Sequence, residues 1–183
     1  MLKKSIFTTL LVLGLLFQGC ADENKEANEM VSSNEFVLTS TNNTQYIAKK
    51  EGNGFIVENT KGKVIIFDIF ATWCPPCQAG AKHLTSLQNK FKDDLVIIGI
   101  TIEDNIANAK LEEFKKKYDA DYTLVNSDQN RPLVNAIATE LKLGERFPIP
   151  IMAMYLDGKL INHYIGEVQE EFIESDIKRA LGK

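Results

Sequence analysis

The segment VIIFDIF at residues 64–70 runs straight into Ala71-Thr72-Trp73-Cys74-Pro75-Pro76-Cys77. Its seven residues are rich in β-branched and aromatic side chains and show no polar alternation. That pattern reads as a strand covered on both faces. Such a strand belongs in the middle of a sheet with layers above and below it. The residues after it open a helix. Proline is tolerated in a first helical turn, and Leu84, Leu87 and Phe91 recur at helical spacing. The chain therefore turns from buried strand to helix at a pair of sulfurs.

The remaining pattern fills in around this unit. Residues 36–38, 45–48 and 54–59 read as short strands, the last ended by Lys61-Gly62-Lys63. LVIIGIT at residues 95–101 is a second buried strand. Residues 105–118 have amphipathic helical spacing, with Lys115-Lys116-Lys117 as a solvated face. Residues 122–125 make a short strand, and residues 131–141 a helix with Pro132 in its first turn. Residues 151–156 and 160–165 form a hairpin about Asp157-Gly158. Residues 168–181 close the chain as a helix, with Lys178 and Arg179 complementing the dipole of its last turn. The order β-α-β-α-β-α-β-β-α, with a few strands in front, predicts an α/β domain over residues 36–183. It has a mixed central sheet flanked by helices. No internal repeat and no second domain is evident.

The N-terminus is a different material. Lys3 and Lys4 precede an apolar run over residues 6–17, which stops at Gln18-Gly19-Cys20. This is the plan of a secretory signal, and the run is too short for a comfortable transmembrane helix. A small residue followed by cysteine resembles a bacterial lipobox, although Phe17 stands where leucine is usual. Residues 1–19 are thus expected to be a lipoprotein-type signal peptide and Cys20 the lipidated residue. A plain signal peptide or an uncleaved anchor is the alternative. Residues 20–35 have few apolar side chains and five acids against one lysine, a solvated tether. The expected place is extracytoplasmic, where disulfides persist. The net charge of −4 and the scattered Lys and Arg carry no nucleic-acid footprint.

The chain has three cysteines, and Cys74 and Cys77 are the two besides the lipobox-like Cys20. A thiolate, and not a thiol, attacks a disulfide. At a helix start, free N–H groups and the helix dipole favour that negative charge on Cys74. Cys77, one turn on, is placed to resolve a mixed disulfide. A purely structural bridge would close too short a loop to stabilise much. Zinc usually takes four ligands, and His83 and His163 lack ligand spacing to the pair. No metal or nucleotide is expected, and neither histidine is assigned a role.

The stretch from Phe67 through Cys77 resembles the active-site segment of the thioredoxin superfamily. The Ala-Thr-Trp-Cys lead-in and the extra N-terminal strands are most similar to its membrane-tethered TlpA/ResA branch. FKKKYDADYTLVNSD resembles the helix–strand insertion of that branch, and the likeness covers about residues 36–183. It implies a thiol–disulfide oxidoreductase with a thioredoxin-like fold. It also implies that Asp68, six residues before Cys74, is the buried acid that exchanges a proton with Cys77. A surface Asp68, or one paired with Lys63, is the alternative. Pro150, eight residues before Gly158, matches the cis-proline ahead of the hairpin strand, with Pro148 as its competitor. Ile149 and Pro150, with Trp73, Pro75 and Pro76, would then form the surface that receives a substrate strand. Ile151 follows Pro150 where threonine is frequent, which suggests an apolar rim.

The resemblance further implies a reductase of protein disulfides fed by a membrane thiol donor, with apocytochrome c as a possible substrate. The domain is expected to be monomeric. Two other readings are a disulfide oxidant or isomerase, and a non-catalytic binding module.

Overall fold

The computed structural model describes residues 34–183. The leader, Cys20 and nearly all of the tether lie outside the described residues. None of the described helices is long and apolar enough to cross a membrane.

Strands β1 (Glu35–Thr39), β2 (Gln45–Glu51) and β3 (Gly54–Val57) form an antiparallel sheet in that order. Then come β4 (Val64–Phe70), α1 (Pro75–Lys90), β5 (Leu95–Thr101), α2 (Asn108–Tyr118), β6 (Thr123–Val125) and α3 (Asn130–Glu140). The chain closes with β7 (Ile151–Leu156), β8 (Lys159–Ile165) and α4 (Glu170–Leu181). The second sheet has the order β6-β5-β4-β7-β8. Its β4, β5 and β6 run parallel, and β7 is antiparallel to both β4 and β8. This is the mixed sheet expected from the sequence. All seven residues of β4, its central strand, are buried.

Because side chains alternate along a strand, β4 serves two cores. Val64, Ile66 and Phe70 pack with Leu84 and Leu87 of α1, Leu111 and Phe114 of α2, and Ile173 and Ile177 of α4. Ile65, Phe67 and Ile69 pack on the other face with β1, β3 and α3. There Phe55 meets Phe67 and Tyr155 edge-on, with centroids 6.2 and 5.6 Å apart. Such pairs add about 0.5–1.5 kcal/mol each beyond area burial. The N-terminal strands thus form a rear layer.

That layer is fastened at two places. Ser40, just past β1, bridges antiparallel to Val125 of β6. The Asn126 N–H donates to the Thr39 carbonyl at 2.7 Å, and the Thr41 N–H to the Leu124 carbonyl at 3.2 Å. At the other end β3 meets the β7–β8 turn so closely that a Cβ on Gly54 would lie 2.1 Å from the Gly158 carbonyl oxygen. That turn is the expected Asp157-Gly158 hairpin, with φ of 45° and 77° at its two residues. Both values are positive, as a two-residue hairpin turn of this hand requires.

Two helices begin later than the sequence pattern suggests. The expected helix at 105 starts at Asn108. Asn105 is left-handed at φ 57°, and Asn126 Nδ2 donates to the Ile106 carbonyl at 2.6 Å. The side chain of Asn126 holds that stretch as a loop. The expected helix at 168 starts at Glu170, because Gly166 is left-handed and its N–H donates to the Pro150 carbonyl at 2.8 Å.

Candidate active site

Strand β4 delivers the chain to the surface, and Ala71 to Cys74 make the turn into α1. Cys74 is the helix N-cap, with Pro75 and Pro76 in the first turn. Its Sγ accepts the Cys77 N–H at 3.3 Å, which is the bond an N-cap side chain makes. Cys74 and Cys77 are joined by a disulfide, with Cα atoms 5.3 Å apart. The two residues are 3 % and 5 % exposed, so exposure does not separate their roles. The cap bond does: helix N–H density is aimed at Cys74, while Cys77 faces the core.

The lead-in to the pair is clamped from both sides. The Thr72 N–H donates to Glu103 Oε2 at 2.6 Å and its hydroxyl to Glu103 Oε1 at 3.0 Å. Gln78 Nε2 donates to the Thr72 carbonyl at 2.7 Å. Glu103 follows β5 and Gln78 lies in α1, so residues from two parts of the fold fix the position of the peptide preceding Trp73. Trp73 itself is 64 % exposed, and its ring is open to a partner.

The structure brings Ile149 and Pro150 to the same place. The Ile149–Pro150 peptide is cis, and it, not Pro148, occupies the expected position. The Ile149 carbonyl oxygen lies 3.8 Å from Cys74 Sγ. Trp73, Pro75, Pro76, Ile149 and Pro150 therefore surround the disulfide or adjoin it in the chain.

Asp68 shares the α1 face of β4 with Ile66 and Phe70, by strand parity. It is buried, and its partner is the Tyr122 hydroxyl, which donates to Oδ2 at 3.0 Å. Lys63 is not involved. Burial pushes the Asp68 carboxyl up to about 7, and the Tyr122 bond draws it partly back. Burial and the Asp68 charge together push the Tyr122 phenol well above its ordinary value. A narrow cleft of about 20 Å³ is lined by Asp68, Cys77, His83, Pro150, Met152 and Glu167, among others. That is room for one water, and no Lys or Arg lines it.

The Asp68 pKa rises on folding from 3.8 to about 7. In that window the folded state binds more protons than the unfolded chain, so stability falls as pH rises through it. Asp68→Asn removes this term. The variant should gain stability over the parent between pH 4 and pH 8, by up to roughly 1.4 kcal/mol per pH unit. Denaturant melts at the two pH values measure it. A constant difference between variant and parent would mean that Asp68 titrates as an ordinary carboxyl.

The family model for Redoxin matches residues 32–181. The chain belongs to the Redoxin family. Its Redoxin domain is similar to the thiol-disulfide oxidoreductase ResA of Bacillus cereus, at 24 % identity over 167 residues covering 90 % of this chain and 85 % of that protein. It is also similar to Thioredoxin-1 of Drosophila melanogaster, at 33 % identity over 90 residues that cover 48 % of this chain and 78 % of that one. Among solved structures, a thiol:disulfide interchange protein of the thioredoxin family from Chlorobium tepidum superposes with a TM-score of 0.65. The identity there is 20 %, and 81 % of this chain and 94 % of that one are covered. The thioredoxin-superfamily resemblance and the α/β fold read from the sequence both stand.

Tyr122, Gly99, Glu103 and Gln78 were not singled out by the sequence. Only Gly99 carried a signal there: a glycine inside a buried strand marks a close approach of something else.

Proposed function

We propose that this chain is a thiol–disulfide oxidoreductase that reduces protein disulfides through Cys74 and Cys77. The observation that carries the reading is the placement of Cys74, capped by a helix N–H and set beside the Ile149–Pro150 peptide, with Cys77 one turn on at the cleft that Asp68 lines. In the reduced protein, the Cys74 thiolate attacks one sulfur of a substrate disulfide and expels the other as a thiolate. The resulting mixed disulfide is resolved when Cys77, giving its proton to Asp68, attacks Cys74 Sγ. The substrate leaves with two thiols and the protein keeps the Cys74–Cys77 disulfide. Two electrons have passed from protein to substrate. A substrate strand lies along Ile149 and Pro150 by β-pairing, with Trp73, Pro75 and Pro76 as the apolar rim. The chemistry needs no cofactor beyond the cysteine pair.

The reducing direction rests on charge. A strong oxidant is one whose reduced, thiolate form is stabilised. Here a carboxylate lines the same cleft as Cys77, and no Lys or Arg lines it. The reduction potential of the pair, equilibrated in defined thiol buffers, tests this. A value near roughly −270 mV is expected, and one near roughly −120 mV would make the protein an oxidant.

The protein's place in the cell is part of the same reading. The lipobox-like residues at Cys20 support a lipid anchor on the extracytoplasmic side, and the acidic tether supports a domain held off the membrane. A membrane thiol donor would return the electrons, and apocytochrome c cysteines are a substrate of the right chemistry. The domain acts as a monomer.

A further inference from the structure

Tyr122 precedes β6, two strands away from β4, with β5 between them. Its hydroxyl nonetheless reaches Asp68, because the β5 residue paired with Asp68 is Gly99. A Cβ on Gly99 would lie 2.5 Å from Leu124 Cδ2, 3.0 Å from Tyr122 Cε2 and 3.3 Å from Phe70 Cε1. The missing side chain leaves the space through which the phenol ring passes over β5. Tyr122 is 5 % exposed and Asp68 4 %, so this is a bond made wholly inside the protein. Asp68 Oδ1 has no hydrogen-bond partner among the described residues, and the residue lines the cleft that also holds Cys77.

We propose that Tyr122, reaching over Gly99, is a positioning residue that holds Asp68 as the proton acceptor for Cys77 and sets the pH above which the mixed disulfide resolves. The inference rests on the reading of Asp68 as the base for Cys77. A phenol that donates to one carboxylate oxygen stabilises the ionised form. It also fixes the carboxyl plane and leaves the second oxygen for the water-sized cleft. The other titratable groups around that cleft are Cys77 and His83 from α1 and Glu167 from the loop before α4. His83 Nδ1 lies 3.3 Å from Glu170 Oε2. No titratable side chain other than Asp68 enters the cleft from β4, and none from β7.

Tyr122→Phe keeps the ring and removes only the donor. The rate at which a preformed mixed disulfide on Cys74 resolves should be followed against pH in the parent, Tyr122→Phe and Asp68→Asn proteins. The Asp68 carboxyl should be titrated in parallel by difference infrared spectroscopy, a reading that needs no catalysis. Bonds to charged groups of this kind correspond to roughly one pH unit or more. The infrared midpoint and the midpoint of the rate profile should therefore both move up by about one unit in Tyr122→Phe, with resolution slowed about fivefold at pH 7 and about tenfold well below it. An unmoved infrared midpoint overturns the proposal. A moved midpoint with an Asp68→Asn rate profile identical to the parent's keeps the Tyr122–Asp68 link but overturns the base role on which the proposal rests.

Discussion

Cys77→Ser should turn the protein from a catalyst into a trap. Cys74 still forms the mixed disulfide, but a hydroxyl at the second position cannot displace the substrate sulfur. Turnover should fall on the order of 10³-fold or more, as it does when a nucleophile is removed from a catalytic unit. A covalent adduct with an unfolded, disulfide-bonded protein should accumulate in its place. Non-reducing electrophoresis shows it as a slower band that vanishes with excess reductant. Cys74→Ser should lose turnover equally and give no adduct, because Cys77 lacks the cap N–H that favours a thiolate at Cys74. An adduct formed by Cys74→Ser and not by Cys77→Ser would reverse the two roles. No adduct with either would leave the groove as a docking surface without thiol chemistry.

The second large effect concerns stability alone. Gly54→Val would place its Cβ 2.1 Å from the carbonyl oxygen and 2.9 Å from the carbonyl carbon of Gly158. Both atoms are backbone, so no rotamer change relieves the clash. Either β3 or the β7–β8 turn must move, and Gly158 sits at a positive φ of 77° that its neighbours hold. Overpacking of a buried site costs about 1–3 kcal/mol and at times more. A loss of about 3 kcal/mol is expected here, seen as a lower denaturant midpoint with an unchanged slope. The contact lies on the rear layer, away from the cysteines. The reduction potential of the folded fraction should therefore match the parent's, and a displaced potential would mean that the rear layer governs the thiols.

The parts legible in the sequence were those carried by local pattern. VIIFDIF and LVIIGIT announced buried strands because both faces of each are covered. Asp157-Gly158 announced a hairpin because its backbone needs positive φ. The strand-to-helix turn at Cys74 was legible because prolines and cysteines leave few other arrangements. What the sequence did not show depends on contacts distant in the chain. Tyr122 looks like an ordinary strand residue until β5 brings Gly99 beneath it. Glu103 looks like a loop acid until it is seen to bind both the N–H and the hydroxyl of Thr72. The helix starts at Asn108 and Glu170 were displaced by side-chain and backbone bonds from residues far along the chain, which no window of local sequence contains.

Strand β4 has a further meaning for how chains of this kind can change over generations. Its even-numbered residues, Ile66, Asp68 and Phe70, answer to the helices and the sulfur pair. Its odd-numbered residues, Ile65, Phe67 and Ile69, answer to Phe55, Tyr155 and the added N-terminal strands. Loss of those strands would relax the odd positions only in part, because α3 and β7 also pack against them. One strand thus answers to two sets of neighbours, on alternate letters.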